Sequence, residues 1–121
     1  MKSNVQTLLP AIQFGMANGV YDGVSTDFNG DAVKAPTYYS KLESLMTVAW
    51  HLDAFVGIIE LQATLDDDMD GEYFSVAHLA GDGLLPTDES GSENFTGRYT
   101  WIRARVTEFT AGAITKVQAS Y

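Results

Sequence analysis

Tyr99, Trp101, Arg103 and Arg105 alternate along one short stretch, so as a strand they would share a face. Two chemistries suit that stripe. Aromatic rings stack on pyranose faces while neighbouring polar groups fix orientation, which makes a sugar platform. Tyr, Trp and Arg are also enriched at interface hot spots, and arginine stems can lie over rings that close the end of a β-fold. The core or interface reading is favoured over the sugar platform.

A second candidate is the acidic run Asp66-Asp67-Asp68-Met69-Asp70-Gly71-Glu72. Asp66, Asp68 and Asp70 before Gly71 match the opening of a calcium loop, in which alternate hard oxygen ligands wrap one ion. The twelfth position, which needs a bidentate glutamate, is Ala77. An acidic turn between two strands is therefore the expectation, and no metal is assigned. His51 and His78 are the only histidines and there is no cysteine. Zinc would need carboxylates to complete its ligands, so two ordinary strand histidines are expected. The chain lacks a G-x-S-x-G elbow, a P-loop and a G-x-G-x-x-G turn. No catalytic residue and no cofactor is assigned, and the expectation is a non-enzyme. Asn94-Phe95-Thr96 is formally a glycosylation sequon, taken here as chance.

The elements that must position these groups read as strands. Met46, Val48, Trp50 and Leu52 alternate with Thr47, Ala49 and His51. Ile59, Leu61, Ala63 and Leu65 alternate with Ile58, Glu60, Gln62 and Thr64. This is period two with one apolar face, as in a half-buried antiparallel strand. Tyr73 to Leu79, Arg98 to Glu108 and Ala113 to Tyr121 give three more strands, and Val5 to Phe14 a first one interrupted at Pro10. The expected core includes Val48, Trp50, Ile59, Leu61, Ala63, Leu65, Ile102, Ala104 and Val106. Asn18-Gly19, Asp22-Gly23, Asn29-Gly30 and Asp82-Gly83 mark turns that favour positive φ. Gly15 to Thr37 reads as loops with at most a short strand, and Ala80 to Phe95 as a long loop. Within that loop Leu84 and Leu85 stand among acidic residues, a candidate anchor for a partner. Tyr38 to Leu45 is the only helical candidate.

The fold class expected is all-β: an antiparallel β-sandwich, jelly-roll-like, with long loops and little or no helix. One domain spans 1–121, with an N-terminal strand and turn-rich segment at 1–37 and the sandwich core at 38–121. The net charge of −9 opposes binding to nucleic acid or to an anionic membrane surface, and favours solubility or docking onto a basic protein partner. No apolar run near the start ends in a small-residue cleavage site, so no signal peptide is expected.

Four pieces in order carry a resemblance. They are Tyr38-Tyr39 with Thr47-Val48-Ala49-Trp50, then Phe55 to Leu65 (FVGIIELQATL), then Tyr73-Phe74-Ser75-Val76, and finally Phe95 to Val106 (FTGRYTWIRARV) with Gly112-Ala113-Ile114-Thr115-Lys116-Val117. Over residues 38 to 121 the chain resembles a small β-sandwich domain of tailed-bacteriophage virion proteins, especially those of marine and cyanobacterial phages. Tyr73 stands where members of that family often have tryptophan. The resemblance implies a structural virion component, assembled in the host cytoplasm, with no active site to carry over. It implies other virion proteins as partners, either the major capsid protein or tail and neck proteins, and a homo-oligomer such as a trimer. A head decoration or cement protein is the leading expectation. A tail, neck or fibre-tip component with a receptor- or glycan-binding role is the alternative. A glycan-binding module or polysaccharide-degrading enzyme is the third, the enzyme being the weakest because no paired-carboxylate geometry can be argued from the loops.

Overall fold

The computed structural model describes residues 5–35, 45–97 and 99–120. Eight strands follow one another: β1 Val5–Leu9, β2 Ile12–Gln13, β3 Phe28–Asn29, β4 Val33–Lys34, β5 Leu45–Thr64, β6 Phe74–Ala80, β7 Ser90–Thr96 and β8 Trp101–Ser120. All pairings between them are antiparallel, and there is no helix among the described residues. The all-β class expected from sequence is the class observed. The helical candidate at 38–45 falls outside the described residues, except Leu45, which opens β5.

Two strands of 20 residues organise everything else. From sequence each reads as two strands; in the structure each is one strand with a bend. The inner face of β5 carries Met46, Val48, Trp50 and Leu52, then Phe55, Ile59, Leu61 and Ala63, all buried. The step from Leu52 to Phe55 is odd, which strict alternation forbids. An extra residue absorbs it: Ala54 takes φ 49°, and the register with β8 jumps between Asp53 and Val56. In β8 the inner face runs Ile102, Ala104, Val106, then Phe109, then Ile114, Val117 and Ala119. Glu108 at φ 54° and Gly112 at φ 84° absorb the first two odd steps, and a register shift opposite His51 and Leu52 absorbs the step from Ile114 to Val117. Such bulges bend a strand and raise its twist.

The bends divide the sheet into two ladders. In one, β1 pairs the last part of β8, which pairs the first part of β5, which pairs β7. In the other, β3 and β4 pair the first part of β8, which pairs the last part of β5, which pairs β6. β2 pairs β8 beside the bend. Residues on the inner faces of both ladders belong to one apolar cluster, most of them under 2 % exposed. Among the described residues no helix covers that cluster, and β1 touches β4.

Four other expectations change. Ser90–Thr96, read as loop, is an edge strand: its partner is the backbone of 45–51, and its own side chains carry no apolar alternation. Two short strands, β3 and β4, lie in the turn-rich segment. Leu65 is 64 % exposed, because the ladder ends at Thr64, whose hydroxyl accepts the Asp66 N–H as the chain turns away. Gly30 lacks the positive φ that Gly19, Gly23 and Gly83 adopt; its N–H instead donates to Ala104 O beside β3.

Candidate functional site

Odd positions of the first part of β8 point outward. Trp101, Arg103 and Arg105 therefore share the outer face of the second ladder, each half-buried, beside Gln62 and Glu60 of β5. Arg103 Nε donates to Gln62 Oε1 at 2.9 Å, and its guanidinium lies 3.9 Å from the centre of the Tyr73 ring. Burial lowers the Arg103 pKa, with Arg105 adding to the fall and Tyr73 opposing it. Burial raises the Tyr73 pKa, with Arg103 opposing. The Tyr73 hydroxyl donates to Met69 O, so the ring that carries the arginine is itself tied to the acidic turn. Arg105 Nη1 donates to Asn29 Oδ1 at 2.9 Å, and Trp101 Nε1 donates to Asp67 O at 3.0 Å.

Tyr99 is not on this face. It precedes β8 and packs against the core cluster and the Phe74 ring, with centroids 6.1 Å apart. The four-residue stripe thus becomes three outward residues plus Tyr73, which spacing along β8 could not reveal. The arrangement holds cations by stacking and by neutral amides.

The acidic run forms the turn between β5 and β6. Asp66 Oδ2 accepts the Glu72 N–H and Asp68 Oδ1 accepts the Asp70 N–H, each at 2.9 Å. Among the described residues no three His, Asp or Glu side chains are grouped to hold a metal. Titration calorimetry with calcium is expected to show no micromolar binding. A micromolar isotherm removed by Asp68→Ala would overturn that. The histidines do not meet: His51 Nδ1 bonds Ser90 Oγ at 2.8 Å, and His78 Nε2 bonds Gly81 O.

The two turn-rich segments nominated from sequence come together at the bend. Residue Ala54 donates its N–H to Asp88 Oδ1, while Glu108 donates its N–H to Asp27 Oδ1. Among the described residues these are the two non-glycine residues with positive φ, and each has its backbone donor taken by an aspartate from a different loop. Further backbone bonds join Phe55 to Thr87, Gly83 to Gly57 and Phe109 to Thr26. Segments 15–27 and 81–88 are thereby fixed to one end of the molecule. Neither contains lysine or arginine.

That end presents apolar side chains. Leu84 is 82 % exposed, Leu85 67 % and Val24 80 %. Each loop tip is shaped by an aspartate beneath it. Asp82 accepts from the Leu84 and Leu85 N–H groups, which lowers its pKa. Asp22 accepts from the Ser25 hydroxyl and from the Ser25 and Val24 N–H groups, which hold its pKa at about 2. Leu84 and Leu85 were legible as an apolar pair in an acidic loop. Val24 was not, since a lone valine carries no signal, and neither were Asp27 and Asp88, whose partners are remote in sequence.

An open cavity of about 430 Å³ lies beside the same bend. The turn after β2 closes it, held by Asn18 Nδ2 donating to Ala11 O. Its lining includes Ala11, Met16, Ala17 and Ala113, with Asp53 the only charged residue. Comparison of the chain with known protein families, curated proteins and solved structures gives no match.

Proposed function

We propose that this chain is a non-enzymatic structural subunit of a tailed-bacteriophage virion, a head decoration protein that docks through the loops at the bend. The strand order carries the reading. If each long strand counts as two at its bend, and β1 with β2 and β3 with β4 each count as one, the ladders run 1-8-3-6 and 2-7-4-5. Counted so, the interleaving matches the strand order of a jelly roll, which supports the reading, since viral capsid and lectin domains share that architecture. It agrees with the virion resemblance of residues 38 to 121, and the exposed leucines suit attachment to a shell. Mass-spectrometric copy number on purified particles, with a particle reconstruction, tests it. Hundreds of copies over the head are expected. A few to a few dozen on the tail would favour the tail or fibre reading, and absence from particles would end both.

The attachment has its own test. Leu84→Asp combined with Leu85→Asp is expected to leave folding unchanged, because both side chains are exposed and their N–H bonds to Asp82 persist. Occupancy on particles is expected to fall severalfold. Unchanged occupancy would move the anchor to the Trp101 and Arg103 face.

A further inference from the structure

The cavity at the bend combines an apolar lining with one carboxylate. Asp53 is exposed, and its carboxylate forms no hydrogen bond or ion pair among the described residues. The polar groups that share the lining, Gln13, Asn18 and Thr115, are neutral. No lysine or arginine occurs from residue 3 to 33 or from 42 to 97, so the segments around this end are anionic. Lys116 is the nearest cation along β8; it pairs in register with His51 and does not line the cavity.

An apolar slot with a free carboxylate matches an alkyl stem that ends in a cation. We propose that the cavity receives a lysine or arginine side chain presented by a protein partner. The stem lies along Ala11, Met16, Ala17 and Ala113, and the charged head meets Asp53. Gln13 and Thr115 share the lining and carry neutral hydrogen-bonding groups suited to the peptide groups that flank such a side chain, which a free amine lacks. The inference stands on the cavity and the charge distribution, and holds whether or not the partner belongs to a virion.

Amide chemical-shift titration with N-acetyl-lysine methylamide tests it. Saturable shifts are expected at Ala17, Asp53, Ala113 and Thr115 at tens of millimolar probe. Asp53→Asn, an exposed change that disturbs no bond, is expected to weaken binding about fivefold, the upper end for an exposed ion pair. The norleucine analogue is expected to bind about as weakly as the lysine probe binds that variant. Putrescine is expected to bind more weakly than the lysine probe. Equal binding of the norleucine analogue, insensitivity to Asp53→Asn or absence of saturable shifts would overturn the site. Equal or tighter binding of putrescine would overturn its assignment to a protein side chain.

Discussion

Phe109→Ala is expected to destabilise the fold by about 3–5 kcal/mol, the range for truncating a buried aromatic residue. Phe109 is fully buried at the bend of β8. Its ring stacks on Phe55 at 5.5 Å and meets Tyr21 at 5.3 Å, Phe14 at 5.6 Å and Phe28 at 6.0 Å. These partners come from β5, from β3 and from the segment between β2 and β3. Truncation would remove the shared neighbour of four rings, and the surrounding backbone is held by the bend and cannot collapse inward. Aromatic pairs add about 0.5–1.5 kcal/mol beyond area, which favours the upper part of the range. Against a typical total of about 5–15 kcal/mol the loss is large. Urea unfolding followed by tryptophan fluorescence should show a lower midpoint at unchanged slope. A loss below about 1 kcal/mol would mean that the ring cluster does not carry the bend.

Much of this packing was legible in the sequence. Alternation identified Val48, Trp50, Ile59, Leu61, Ala63, Ile102, Ala104 and Val106, and all are buried. The continuity of the long strands was hidden for a physical reason. A bulge breaks alternation by one residue, and in a single sequence that break looks like a turn. The steps Leu52 to Phe55 and Val106 to Phe109 were the available signal: apolar spacing of three with no polar cluster between.

β7 was hidden for a different reason. Ser-Gly-Ser-Glu-Asn-Phe-Thr has no apolar face, and only Phe95 packs against the core. Its strand state comes from backbone pairing with β5, and its polar side chains keep the edge from recruiting another chain. The candidate sites divide along the same line. The Trp101, Arg103 and Arg105 face follows from period two alone. The Tyr73 ring beneath Arg103 depends on the register of β6, and the aspartates that cap Ala54 and Glu108 act across 34 and 81 residues of chain. Local pattern cannot place such partners.

The two bends hold each other, and Gly112 is where that dependence can be measured. Its φ of 84° is a conformation L side chains rarely adopt. A Cβ there would stand against Ala54 O, Ala54 C and Phe55 Cα. All three are backbone atoms of the opposing bend, so no side-chain movement relieves the contact. Gly15 provides the control: its φ is 86°, yet nothing lies within 4 Å of an added Cβ. Gly15→Ala is expected to cost about 1–2 kcal/mol, the conformational cost alone. Gly112→Ala adds displacement of the Ala54 turn, which also strains the bond from Ala54 N–H to Asp88. Its total cost is expected to be about 3 kcal/mol or more. Amide exchange should localise the difference, with faster exchange at Ala54, Phe55 and Thr87 in Gly112→Ala and not in Gly15→Ala. Equal costs for the two substitutions would mean that the bends of β5 and β8 form independently.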